Sequence, residues 1–207
     1  YEIVGCDWSS DVCSSDLAIN LEDIAAPKCF EIEERLKAEL DIPVFHDDQH
    51  GTAVVVLAGL INAAKLTERS LTDCKIVVIG AGAAGTAIIK LLHLYGVRNI
   101  VAVDSRGIVG ASRTDLNEEK TALLEYVDAS QAGSIDDAIT DADIFIGVSR
   151  AGLLTPELVQ KMAKDPIVFA LANPVPEIMP DVAKEAGVAI IATLVRSEER
   201  RVGKECR

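Results

Sequence analysis

Apolar and polar positions change rhythm along the chain, and the change divides it. From Lys75 onward short, continuous apolar runs recur: KIVVIG (75–80), NIVAVD (99–104), DIFIGV (143–148), IVFALA (167–172) and VAIIAT (188–193). Runs of this length and β-branched content read as strands buried on both faces. Between them lie stretches with helical spacing over residues 83–95, 117–127, 134–140, 156–163 and 181–186. The alternation predicts an α/β fold, a doubly wound parallel sheet of Rossmann-like type, over residues 70–195. Upstream, INLEDI (19–24) and PVF (43–45) read as strands and EIEERLKAEL (31–40) as an amphipathic helix, so residues 19–69 are the end of a second α/β unit. Residues 51–65 form a helix apolar on nearly every face, which predicts that it is buried.

The two ends break this pattern. Residues 1–18 are Ser/Asp-rich, without periodicity, and hold the only Trp; residues 196–207 are Arg-rich in an otherwise acidic chain. Both resemble translated adaptor read-through and are read as non-native tails. The chain's net charge of −13 argues against nucleic-acid binding through an overall basic surface. No apolar run approaches the about 18 residues a membrane span needs. Five cysteines, at 6, 13, 29, 74 and 206, are odd in number and form no C-x-x-C pair. With no secretory signal, they place the protein in a reducing cytoplasm and exclude a disulfide framework or zinc ribbon.

Chemistry concentrates at the predicted strand ends. Gly80-Ala81-Gly82-Ala83-Ala84-Gly85 matches G-x-G-x-x-G directly after a strand and at the opening of a helix. Gly80 permits the turn, Gly82 lets a pyrophosphate approach the backbone, and Gly85 allows close helix–strand packing, while the helix N-terminus offers N–H groups to the anion. Asp104 ends the next strand 22 residues after Gly82, where an acid bonds a ribose 2′-hydroxyl. That carboxylate favours NAD over NADP, although Arg106 could neutralise a 2′-phosphate, so the choice stays open with NAD preferred.

Glu22-Asp23 and Asp47-Asp48 each sit at the end of a predicted strand. If those strands are adjacent and parallel, four carboxylates meet in one crevice, and their repulsion calls for a hard divalent cation, Mg²⁺ or Mn²⁺. Solvated loop acids are the alternative. His46 and His50 lack the intervening Glu of a helical H-E-x-x-H zinc site. They are read as local hydrogen-bonding partners that position the acidic loop, and His93 as a structural or surface residue. Asn173, followed by Pro174, would aim its amide into the crevice or simply form the turn.

Four segments, INLEDIAAPKCFEIE, PVFHDDQHGTA, GAGAAG with VDSRG, and FALANPVPE, make residues 19–193 resemble the bacterial malic enzymes. The resemblance implies oxidative decarboxylation of malate to pyruvate and CO₂ with NAD(P)⁺. It also implies Glu22, Asp23 and Asp48 as metal ligands, Asp47 as a neighbouring catalytic acid, and residues 19–69 as the remnant of a metal- and substrate-binding region. Gly80 to Gly85, with Ala81, Gly82, Ala83 and Ala84 along the phosphates, would bind cofactor together with Asp104, Ser105 and Arg106; Asn173 would meet substrate or nicotinamide. The family's general-acid Tyr and general-base Lys, from an N-terminal domain, have no counterpart here, so this polypeptide is expected to be inactive alone and homo-oligomeric when full length. A non-catalytic nucleotide-binding or regulatory module, and a metal-free dehydrogenase of another small acid, are the competing readings.

Overall fold

Residues 18–22, 24 and 27–194 are described by the computed structural model. Their first element is a two-stranded parallel sheet, β1 (Ile19–Leu21) against β2 (Val44–His46), joined by helix α1 (Lys28–Glu39). A wide, π-helical turn, Asp47–Gly51, leads from β2 into α2 (Thr52–Leu66). The main sheet follows: β3 (Ile76–Ile79), β4 (Ile100–Asp104), β5 (Gly107–Ile108), β6 (Ile144–Gly147), β7 (Ile167–Ala170) and β8 (Ile190–Thr193), in the spatial order β5-β4-β3-β6-β7-β8. The five long runs read as strands are β3, β4, β6, β7 and β8, and they pair in parallel.

Helices cover both faces. One core layer joins α2 and α3 (Ala83–Tyr95) to Ile76, Val78, Ile144 and Ile146. The other joins Val77, Ile79, Phe145 and Val168 to α5 (Ile135–Ile139), α6 (Pro156–Val159) and α7 (Pro180–Glu185). Strands β3, β6 and β7 are therefore buried at every position, because alternate side chains feed opposite layers. Gly96 ends α3 in the left-handed region at φ +115°, where its N–H reaches the His93 and Leu92 carbonyls, a helix stop that only a residue without Cβ adopts cheaply. Ser134 caps α5 through a capping box with Asp137, and Thr155 with Pro156 opens α6.

The structure departs from the periodicity in five respects. The strand expected over 19–24 ends at Leu21, α1 starts at Lys28 rather than 31, and the later helices are shorter, with α4 confined to Glu118–Leu123 and α6 to four residues. Short β5, antiparallel to β4, was invisible as a pattern because two residues carry no periodicity. Helix α2 is not buried all round: Val54, Val55 and Leu66 are 57%, 67% and 79% exposed, while Val56, Leu60, Ala63 and Ala64 carry the packing. Its open side borders an apolar cavity of 560 Å³ closed by Phe169, Leu171, Ile190 and Ala192. No described helix is long and apolar enough to cross a membrane.

Candidate functional site

The sheet order reverses between β3 and β6, and a crevice opens there above the carboxyl ends of the strands. The glycine loop leaves β3 at this point and leads into α3. Gly80 takes φ +113°, the chain turns, and α3 begins at Ala83 with extended Gly82 as its cap. A Cβ on Gly82 would meet nothing within 4 Å, so the backbone is open to a ligand there.

On the β4 side lies a cavity of 350 Å³ lined by Asp104, Ser105, Arg106, Ser134, Ser149 and Arg150, among others. Asp104 is held by more partners than its sequence position announced. Its Oδ1 accepts from Arg113 Nη1 and from the backbone N–H of Arg106, each at 2.8 Å, and Lys120 Nζ donates to Oδ2. Burial alone would raise this carboxyl, but the hydrogen bonds from Arg113, Lys120 and Arg106 outweigh it and hold it below the ordinary Asp range. Each oxygen retains acceptor capacity, since a carboxylate offers about four lone-pair sites. Arg106 extends its guanidinium outward to Asp115 at 2.7 Å, and Asp115 also receives Arg113. No sequence spacing marks Arg113 and Lys120 as partners of Asp104, because a cation following a strand-end acid is too common a pattern to single them out.

On the other side of the reversal, a smaller cavity of 220 Å³ is lined by Asp48, Thr52, Ala84, Ser149, Ala172 and Asn173, among others. The acidic turn, the start of α3 and the end of β7 thus share one space. The turn packs against α3, and it owes its shape to α1. Glu33, buried on α1, accepts from His50 Nε2 at 2.7 Å, from Lys37 Nζ at 2.7 Å and from Gln49 Nε2 at 3.3 Å. Burial pushes Glu33 upward, and its bonds to Lys37 and His50 bring it below the usual Glu range. Asp47 lies over Gly51, whose Cβ would fall 2.2 Å from Asp47 Oδ1, so a side chain there would displace the acid.

The strand register sets Leu21 beside His46 and so brings the carboxyl ends of β1 and β2 together, as the adjacent parallel arrangement requires. Glu22 lies exposed at the first end, accepting from Asn20 Nδ2 at 2.8 Å, and Asp47 and Asp48 follow the second. Asp23 falls outside the described residues. Among the described residues no three His, Cys, Asp or Glu side chains gather closely enough to hold a metal ion. The expectation for the two imidazoles divides. His50 does bond locally, whereas His46 is fully buried with neither ring nitrogen hydrogen-bonded, 4.0 Å from Asp48. His93 packs edge-on against Tyr126, a structural role.

The model of the malic enzyme NAD-binding domain matches residues 49–193. The bifunctional malic/malolactic enzyme of Bacillus subtilis is 59% identical over 177 residues, spanning 84% of this chain and 43% of that protein. The NADP-dependent malic enzyme of Halomonas elongata is 47% identical over 194 residues, or 93% of this chain and 45% of its own length. In structure, the NAD-dependent malic enzyme of Thermotoga maritima superposes with a TM-score of 0.82 at 52% identity, covering 85% of this chain and 48% of that one. The chain therefore spans less than half the length of these relatives. With the glycine loop at the sheet reversal, the strand-end Asp104 and the acidic turn facing Asn173, it belongs to the malic enzyme family and carries that family's NAD-binding domain.

Proposed function

We propose that this chain supplies the dinucleotide-binding part of an enzyme that oxidatively decarboxylates malate to pyruvate and CO₂, with NAD(P)⁺ as hydride acceptor. The observation that carries the reading is that the cavity beside Asp104 and the cavity shared by Asp48, Ala84 and Asn173 both border Ser149 at the sheet reversal, where the glycine loop leaves β3. The loop residues Gly80 to Gly85 receive the pyrophosphate on free N–H groups at the start of α3. Asp104, Ser105 and Arg106 hold the adenosine ribose, with NAD favoured by the Asp104 carboxylate. Asn173 meets nicotinamide or substrate from the end of β7, and Asp47 stands beside the reacting acid.

The donor chemistry at the ends of β1 and β2 suits Mg²⁺ or Mn²⁺, since every candidate is an oxygen. Glu22, Asp23 and Asp48 would hold the ion, which when bound supplies a template and a Lewis acid for a 2-hydroxy acid. The unpaired, buried Cys29 and Cys74 accord with a reducing cytoplasm. Uncovered Val54, Val55 and Leu66 on α2 offer apolar surface to an interface in a homo-oligomer.

The test is a chimera in which residues 18–194 replace the corresponding segment of the Bacillus subtilis relative. Malate-dependent reduction of NAD(P)⁺ with release of CO₂ is expected, and Asp48→Asn should weaken Mn²⁺ binding and abolish turnover while leaving dinucleotide affinity largely intact. A chimera that binds dinucleotide but never turns over malate, whatever the metal, would leave a non-catalytic nucleotide-binding module.

A further inference from the structure

Strands β6 and β7 end in segments that line the crevice, and one side chain joins them. Glu177, fully buried, accepts the backbone N–H of Ser149 on Oε1 and that of Ala172 on Oε2, each at 3.0 Å. No cationic side chain among the described residues pairs with it. A buried carboxylate without a counter-ion is costly, so its neighbours must be arranged to accommodate it. They are: Gly147, the last residue of β6, leaves the space in which Glu177 sits, and a Cβ there would lie 2.4 Å from Glu177 Cδ. The backbone of the same segment is tied down as well, with Leu154 N–H donating to the Glu177 carbonyl at 3.1 Å.

The two anchored amides are not arbitrary. Ser149 and Ala172, with Asn173 next to the latter, line the cavity that faces Asp48 across the start of α3. That cavity reaches the ends of β6 and β7, whereas the Asp104 cavity reaches from the end of β4 to the segment after β6, and Ser149 borders both. A dinucleotide laid across a reversal of this kind puts one nucleoside on each side, so the half remote from Asp104 is the nicotinamide half. We propose that Glu177 is a positioning residue for that half: by holding the Ser149 and Ala172 amides at a set separation, it fixes where Ser149 and Asn173 present themselves to the nicotinamide nucleoside. This role rests on the dinucleotide reading above. Glu177 makes no hydrogen bond to the glycine loop or to Asp104, which hang from β3 and β4; Ser149 borders the Asp104 cavity as well, but Ala172 and Asn173 border only the other one, so loss of Glu177 falls more heavily on the nicotinamide half.

The 207-residue chain would be titrated calorimetrically with NADH and with ADP-ribose, which shares everything but the nicotinamide; NADPH and 2′-phospho-ADP-ribose form the parallel pair. Thermal melts of each variant accompany the titrations. Glu177→Gln keeps the shape but turns an amide N–H₂ toward a backbone donor, and it is expected to weaken NADH binding about tenfold while shifting ADP-ribose less than about twofold. Gly147→Ala leaves the carboxylate intact but drives it from its seat, and the same selective loss is expected. Equal losses for both ligands would reduce Glu177 to a structural group and overturn the proposal, as would unchanged affinity for both. A wild-type chain that binds none of the four ligands overturns the dinucleotide reading, and this role with it.

Discussion

A Cβ on Gly85 would lie 1.8 Å from the carbonyl oxygen of Gly80, whereas one on Gly82 would meet no atom of the protein within 4 Å. The three glycines of the loop therefore serve different ends. Gly85→Ala should cost about 1–3 kcal/mol in urea unfolding because helix and strand must separate. Gly82→Ala should leave stability within about 0.5 kcal/mol and yet lower NADH affinity tenfold or more, since the methyl occupies the pyrophosphate's approach. Equal binding by wild type and Gly82→Ala would place the pyrophosphate elsewhere.

Asp104 and Arg113 determine how the adenosine pocket reads charge. With Arg113 Nη1 2.8 Å away and Lys120 on the other oxygen, the Asp104 carboxylate is partly neutralised and repels a 2′-phosphate less than a lone acid would. Arg113→Ala should shift the ratio of NADP to NAD dissociation constants upward, and should cost about 1–3 kcal/mol of stability through the lost charged hydrogen bond. Asp104→Ser should move the ratio the other way, and Arg106→Ala should raise it by removing the outward cation. Fluorescence titration with both reduced cofactors checks all three; an Arg113→Ala variant with an unchanged ratio would remove Arg113 from selection.

Glu33 gives a pH signature. Its carboxyl is held below the ordinary range in the folded protein, so its stabilising contribution is complete above the unfolded value of about 4.3 and is lost as pH falls through the folded one. Glu33→Gln should lower stability at pH 7 by about 1–2 kcal/mol, discounted because Lys37 and His50 are partly in solvent. The gap between wild type and variant, read from urea midpoints, should shrink below about pH 4.3 and close at lower pH. A gap constant from pH 7 to pH 3 would show that charge is not what Glu33 contributes to the acidic turn.

Helix α2 offers a control on burial. Val55, 67% exposed, should accept Lys at a cost within about 0.5 kcal/mol, whereas Leu60→Ala, at a fully buried position, should cost about 2–5 kcal/mol. Comparable losses in thermal melts would mean that the open face of α2 is covered in solution.

By itself the sequence determined the architecture wherever a local signal repeats. Five apolar runs are strands because each must feed two core layers, and the glycine loop is legible because a turn, an open backbone and a close helix contact each demand a missing Cβ. It also marked Asp104, the acidic pairs and Asn173 as strand-end residues of interest. Only the tertiary structure decided what those groups meet. Glu33 reaches the acidic turn from 17 residues before His50, and Glu177 spans 28 residues to Ser149, distances over which no spacing rule operates. The partly open α2 and the unbonded His46 were hidden for the same reason: composition records how apolar a residue is, while burial and hydrogen bonding depend on which neighbours the fold brings beside it.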